Sequence, residues 1–181
     1  MSMTRRNFGS GFTAASFFLV LLCGQVDWAH ATGSASSSVL VSTTVPAVCS
    51  ISTAAITFAP YDPVNVHATV PDDQAGTIII RCVRGTAGIS IDLGGGANNS
   101  GGQRRMVNRS SPSTFLNYEV FQDMGRTLVW GRGDNGSVRS GSDLEGTGTD
   151  VYVTMYGRIP PAQISALPGT YNDILVSAIN F

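Results

Sequence analysis

The sequence predicts an all-β chain folded as a β-sandwich, and three observations carry that prediction. Short runs rich in Val, Ile, Thr, Tyr and Phe recur along the chain, separated by clusters of Gly, Pro, Ser and Asn. No stretch beyond the N-terminal leader repeats its apolar residues at the 3.6-residue period of a helix. The composition of 21 Gly, 8 Pro and 13% charged residues in 181 suits one exported β domain with a single core.

The leader reads as an export signal. Arg5 and Arg6 precede the apolar run Phe12 to Cys23, which is too short to span a bilayer, and Ala29-His30-Ala31 forms a cleavage site. Residues 1–31 are thus expected to be removed, leaving 181 − 31 = 150 residues that begin at Thr32. Thr4-Arg5-Arg6-Asn7-Phe8 also fits a twin-arginine signal, against an ordinary basic leader. A lipid anchor on Cys23 is disfavoured by Leu22, where a small residue is wanted. Removing the leader removes Cys23 and leaves Cys49 and Cys82. In an exported chain these are expected to form a disulfide, closing a loop of 82 − 49 = 33 residues. Loop-closure entropy assigns that bridge about 3.7 kcal/mol.

Thr32 to Ser38 is small and polar. Val39 to Val45 reads Val-Leu-Val-Ser-Thr-Thr-Val, with Val39, Val41, Thr43 and Val45 on one face of a strand. This strand either pairs within its own sheet or is donated to another chain. Residues 32–48 are therefore an N-terminal extension, and 49–181 the sandwich domain. Ile51 to Phe58 is the next extended stretch, stopped by Pro60 and Pro63. Gly76 to Arg84 contains a run apolar enough for a buried strand. Ile89, Ile91 and Leu93 alternate with Ser90 and Asp92. Gly94 to Gly102 reads as a hairpin loop. Leu116 to Val120, Thr127 to Trp130 and Val151 to Tyr156 are further strands, with Gly131 to Gly148 as a long loop. The stretch from Tyr171 to Phe181 is extended, and Leu175, Ile179 and Phe181 share one face that is expected to point inward.

Several chemistries are excluded or disfavoured. A net charge of −1 argues against nucleic acid and anionic membrane as partners. All 11 basic residues are Arg, so neither a P-loop lysine nor a Schiff-base lysine exists. His67 is the one histidine after the leader; it sits between Pro63 and Pro71 with no nucleophile motif, and reads as a surface-loop residue. Asp72-Asp73 reads as a solvated turn. Gly94 to Gly102 has no following helix to cradle a phosphate. Arg132-Gly133-Asp134 is a short cell-binding tripeptide made of ordinary turn formers. Asn98, Asn108 and Asn135 open glycosylation sequons. No enzymatic activity, cofactor, metal or small-molecule substrate is expected.

Several blocks carry a family resemblance. Leu116-Asn117-Tyr118, Arg126-Thr127 and Trp130-Gly131 follow the pattern LNY…D…RT..WG. Tyr156-Gly157-Arg158-Ile159-Pro160 and Gly169-Thr170-Tyr171-Asn172-Asp173 match two more blocks, and Tyr61-Asp62-Pro63 and the two cysteines match as well. Over nearly its whole mature length the chain resembles the spore coat protein U domain family, which includes the Csu-type subunits of archaic chaperone–usher pili. The resemblance implies an immunoglobulin-like sandwich without its last strand. A periplasmic chaperone fills the resulting groove, and then the N-terminal strand of the next subunit does, after passage through an outer-membrane usher. It implies a donor strand in Val39, Val41, Thr43 and Val45. Chaperone docking at the edge of Leu175, Ile179 and Phe181 follows too. The alternative is a self-contained secreted coat protein or a glycan-binding adhesin.

Overall fold

The computed structural model describes residues 33–131 and 137–181. The expected signal segment, Arg132-Gly133-Asp134 and the Asn135 sequon lie outside the described residues. Among the described residues nine strands form: β1 (Cys49–Ala54), β2 (Asp72–Cys82), β3 (Ser90–Leu93), β4 (Arg104–Asn108), β5 (Phe115–Phe121), β6 (Arg139–Ser140), β7 (Asp150–Ile159), β8 (Tyr171–Asn172) and β9 (Ser177–Asn180). One sheet has the order β1-β2-β7-β5-β4-β8 and the other β6-β3-β9. Residues from Thr43 onward make one compact unit. Residues 33–42 carry no regular secondary structure and are exposed.

Alternation at period two decides which side chains go inside. On β2 the even-numbered Ile78, Ile80 and Cys82 are buried, while Asp73, Ala75 and Arg81 are exposed. β7 answers in register, with Ile78 opposite Val153 and Ile80 opposite Val151. β5 contributes Leu116, Tyr118 and Val120, and β3 contributes Ile91 and Leu93 from the other sheet. Burying each large apolar side chain contributes about 1.5–3 kcal/mol, so these rows, not the loops, set the fold. Trp130 is completely buried, and its indole N–H donates to the Ile91 carbonyl at 2.9 Å.

The expected bridge between Cys49 and Cys82 is present, and the two residues lie directly opposite one another at the first pair of the β1–β2 ladder. Replacing either cysteine with serine is expected to lower unfolding free energy by about 2–5 kcal/mol. Urea unfolding of the oxidised protein and of the variant checks this.

Several boundaries differ from the sequence reading. β1 ends at Ala54 instead of Phe58, because Ile56 and Phe58 turn down onto the larger sheet over two glycines. A Cβ on Gly76 would lie 2.7 Å from Ile56, and one on Gly157 would lie 2.9 Å from Phe58. Asp72-Asp73 is no solvated turn: it opens β2, with Asp72 buried and Asp73 on the outer face. Thr127 to Trp130 makes only isolated bridges. Gly94 to Gly102 connects β3 of one sheet to β4 of the other, so it is not a simple hairpin loop. The sequence reading named no strand over β4, whose first residue, Arg104, is buried. The last stretch is paired at Tyr171–Asn172, against β4, and at Ser177–Asn180, against β3, and between them Val176 accepts from the Gly94 N–H and Ile174 from the Ala97 N–H.

Candidate functional site

Among the described residues β9, at one end of the smaller sheet, pairs only with β3, and β1, at one end of the larger sheet, pairs only with β2. Between these two edges lies an open groove of about 1020 Å³. One wall is the chain from Thr53 to Val64, and the other runs from Thr170 to Ser177. The floor is Leu93, Met106, Leu116, Tyr118, Met155 and Ile159. A free strand edge beside an uncovered apolar floor is what a further strand would complete.

The walls are fixed by hydrogen bonds at both ends. The Tyr61 hydroxyl donates to the Pro160 carbonyl at 2.7 Å, and the Asp62 carboxylate caps the N–H groups of Val64 and Asn65 at 3.0 Å each. His67 is buried, not on the surface. Its ring stacks on Tyr61 at 4.8 Å, and its Nδ1 accepts the Asp62 N–H at 2.9 Å. At the opposite wall the Tyr118 hydroxyl donates to the Asp173 carboxylate at 2.8 Å, whose other oxygen takes the side-chain amide of Asn98 at 2.9 Å. Burial, and then the Asp173 carboxylate, push the Tyr118 phenol well above the usual tyrosine range.

Beneath the groove Arg104 is wholly buried. Its guanidinium donates to the carbonyls of Leu93 (3.1 Å), Gly94 (2.8 Å) and Trp130 (2.6 Å) and pairs with Glu119. It therefore ties β3, β4, β5 and the Trp130 segment together under the floor. Sequence reasoning missed it; an arginine at an inward position of a strand is legible only once the strand's pairing is known. Asn108 is also fully buried and accepts the Ser110 and Ser111 N–H groups, so its sequon is closed to glycosylation in the fold. Among the described residues no group of three or more His, Cys, Asp or Glu is placed to hold a metal. Nor is any helix there long and apolar enough to cross a membrane.

The sequence model of the Spore Coat Protein U domain matches residues 35–178. The chain belongs to the Spore Coat Protein U domain family. No curated protein sequence matches it. Among solved structures it is similar to a chain of the complex between CsuC and CsuE, the chaperone–tip adhesion subunit pre-assembly complex from archaic chaperone–usher Csu pili of Acinetobacter baumannii. The TM-score is 0.52 at 20% identity, over 76% of this chain and 41% of that one. This chain thus spans about two fifths of the length of that structure's chain. The fold is an immunoglobulin-like sandwich in which the place of the last strand is open.

Several of the Spore Coat Protein U blocks line or brace the groove. Leu116 and Tyr118 form floor, and Asp173 braces Tyr118. Gly157 lies under Ile56 and Phe58, and a Cβ on Gly169, at φ 149°, would lie 2.7 Å from Asn108. Asp123 accepts from the N–H groups of Thr127 and Leu128. Arg158 makes a two-pronged pair with Asp73 at 2.7 Å, and Arg126 reaches the same carboxylate at 3.2 Å. The Arg158 hydrogen bonds hold Asp73 below its ordinary 3.8 despite partial desolvation. The unfolded carboxylate titrates at the higher value, so the stabilisation is fully present above 3.8 and is lost as pH falls through the folded value. Asp73→Asn should therefore narrow the stability difference between neutral and acid pH, as read by thermal unfolding at pH 7 and in steps below pH 4.

Of the residues expected at the functional site, Leu175 lines the groove, and Ile179 is half-buried opposite Ile91. Phe181 does not point inward as expected and is 54% exposed. The ladder with β3 stops at the Ser90–Asn180 pair, so nothing holds the next residue against the core. Val39, Val41 and Val45 are 84%, 89% and 73% exposed, and residues 33–48 form no strand.

Proposed function

We propose that this chain is a structural, non-enzymatic subunit of a surface pilus, assembled head to tail by the chaperone–usher route. Residues 39–45 act as the donor strand, with Val39, Val41, Thr43 and Val45 facing the groove of the next subunit. The partners are a periplasmic chaperone, an outer-membrane usher and neighbouring subunits. The chain is exported through the periplasm to the cell surface, where the fibre serves adhesion or biofilm formation. The chaperone docks along Leu175 and Ile179, before the donor strand replaces it. The observation that carries this reading is the pairing of two features in one chain. An apolar groove bordered by the free edge of β9 lacks a strand, and a period-two apolar segment belongs to no sheet and stands exposed. Each is costly to leave open in water, and each fits the other.

The test is expression of residues 32–181 in the periplasm, with and without a Csu-type chaperone. With the chaperone the expected product is a soluble one-to-one complex. Without it the expected product is aggregate or degraded chain. A stable soluble monomer in the absence of chaperone would refute the proposal and point instead to a self-contained secreted domain.

A further inference from the structure

One wall of the groove is fastened through an imidazole. His67 is buried, and its ring lies on that of Tyr61, with centres 4.8 Å apart and planes 10° from parallel. Its Nδ1 accepts the Asp62 N–H at 2.9 Å. A nitrogen that accepts carries no hydrogen, so the neutral ring holds its proton on Nε2. The His67 backbone closes the same turn. Its N–H donates to the Asp62 carbonyl at 2.8 Å, and its carbonyl accepts the Ala162 N–H at 2.8 Å. The Tyr61 hydroxyl donates to the Pro160 carbonyl and accepts the Gln163 N–H at 3.3 Å. These bonds join the turn 61–67 to the segment 160–166. Tyr61, Asp62, Val64 and Ala166 all line the groove, so the junction positions that end of the wall.

An imidazolium has two N–H groups and no acceptor. Once protonated, His67 turns an N–H towards the Asp62 N–H or, with its ring flipped, a C–H. The stack on Tyr61 survives, since a cation is drawn to a phenol face, but the Asp62 N–H loses its partner. Within a partly buried turn that loss loosens the backbone. The charged side chain beside the ring is Asp62. The Asn65 side chain, and then the N–H groups of Asn65 and Val64, hold its carboxyl below the ordinary 3.8, so it stays ionised in mild acid. The segment 160–166 brings no charged side chain. Asp72, buried at the start of β2, accepts the Gln74 amide on one oxygen, and its other oxygen has no partner among the described residues. His67 is the one histidine after the leader, and histidine is the side-chain type whose ordinary charge change falls between about pH 5 and about pH 8.

We propose that His67 is an acid-released latch on the groove wall. Neutral, it holds the turn 61–67 closed against the segment 160–166. Protonated, it lets go, and that end of the groove loosens. The direction follows from the bond: the latch is fastened at neutral and alkaline pH and opens as pH falls. It does not depend on what occupies the groove.

The experiment is amide hydrogen exchange on the full mature chain, read by mass spectrometry. The chain is used in the form that periplasmic expression yields soluble, free or chaperone-bound. Exchange of residues 61–67, corrected for the intrinsic rate, is compared at about pH 8 and about pH 5 with that of Ile78 to Ile80 in the core. In the wild type the turn should exchange about two- to tenfold faster at the acid value, with the core unchanged. His67→Asn puts an amide oxygen where Nδ1 stood and has no proton to gain, so its turn should exchange alike at both values. His67→Phe keeps a ring on Tyr61 without an acceptor, so its turn should exchange fast at both. A wild-type turn that exchanges alike at both values overturns the latch. So does a His67→Asn turn that speeds up in acid as much as the wild type. Should His67→Asn fail to fold, His67→Phe decides: an acid acceleration equal to that of the wild type overturns the proposal.

Discussion

Val41→Asp is expected to abolish fibre extension while leaving capture by the chaperone unchanged. Val41 is 89% exposed in the unassembled chain. The substitution should therefore leave the fold and the subunit's own acceptor site as they are. In the assembled state the same residue would sit on an apolar floor, where an ionised carboxylate without a partner costs several kcal/mol. The change also forfeits the burial of one valine, about 1.5–3 kcal/mol. Purified chaperone–subunit complexes, mixed and run without boiling on a denaturing gel, should give a ladder of stable multimers for the wild type. They should give monomer alone for the variant. A variant ladder that matches the wild type would remove residues 39–45 from the donor role.

Arg104→Met should cost about 3–5 kcal/mol of folding stability, the scale expected when one partner of a buried ion pair is removed. The methionine roughly fills the space, but three carbonyls, those of Leu93, Gly94 and Trp130, lose their donor, and Glu119 loses its counter-charge. Because these groups join β3, β4 and β5 under the floor, the loss should reach the groove as well as the core. Denaturant unfolding measures the first effect, and weaker chaperone capture the second. An unchanged midpoint would mean that the buried charge contributes nothing net to the fold.

The strands were legible where one face is apolar and the other polar. Leu116, Val120 and Val153 lie where period-two reading puts them, because a one-residue slip would turn each of them into water, and Ile78 and Ile80 lie within the run read as a buried strand. The bridge between Cys49 and Cys82 was legible from export and from counting. β4 was not, because its inward row begins with an arginine whose partners come from three distant segments. His67 was misplaced on the surface for a similar reason: its partners, Tyr61 and the Asp62 N–H, are offered by a turn whose shape the sequence does not announce. The groove itself is an empty place, and periodicity reports only what is present. Its existence was implied by the resemblance of the blocks, and the structure adds what those blocks do. Some of them line the groove, and Asp173 of one block braces Tyr118 of another.

The position of the bridge has a mechanical consequence. β1 is an end strand held by one neighbour, and Cys49 is the first residue of its ladder. A pull on the segment before Cys49 would otherwise peel β1 from β2 one hydrogen bond at a time, the weakest way to load a sheet. The sulfur–sulfur link meets the load before the first of those bonds does. It hands the tension across to the far end of β2, a strand flanked on both sides and running eleven residues through the sheet. In subunits strung end to end by that segment, tension would enter each body at a covalent rivet and not at the first of a row of hydrogen bonds.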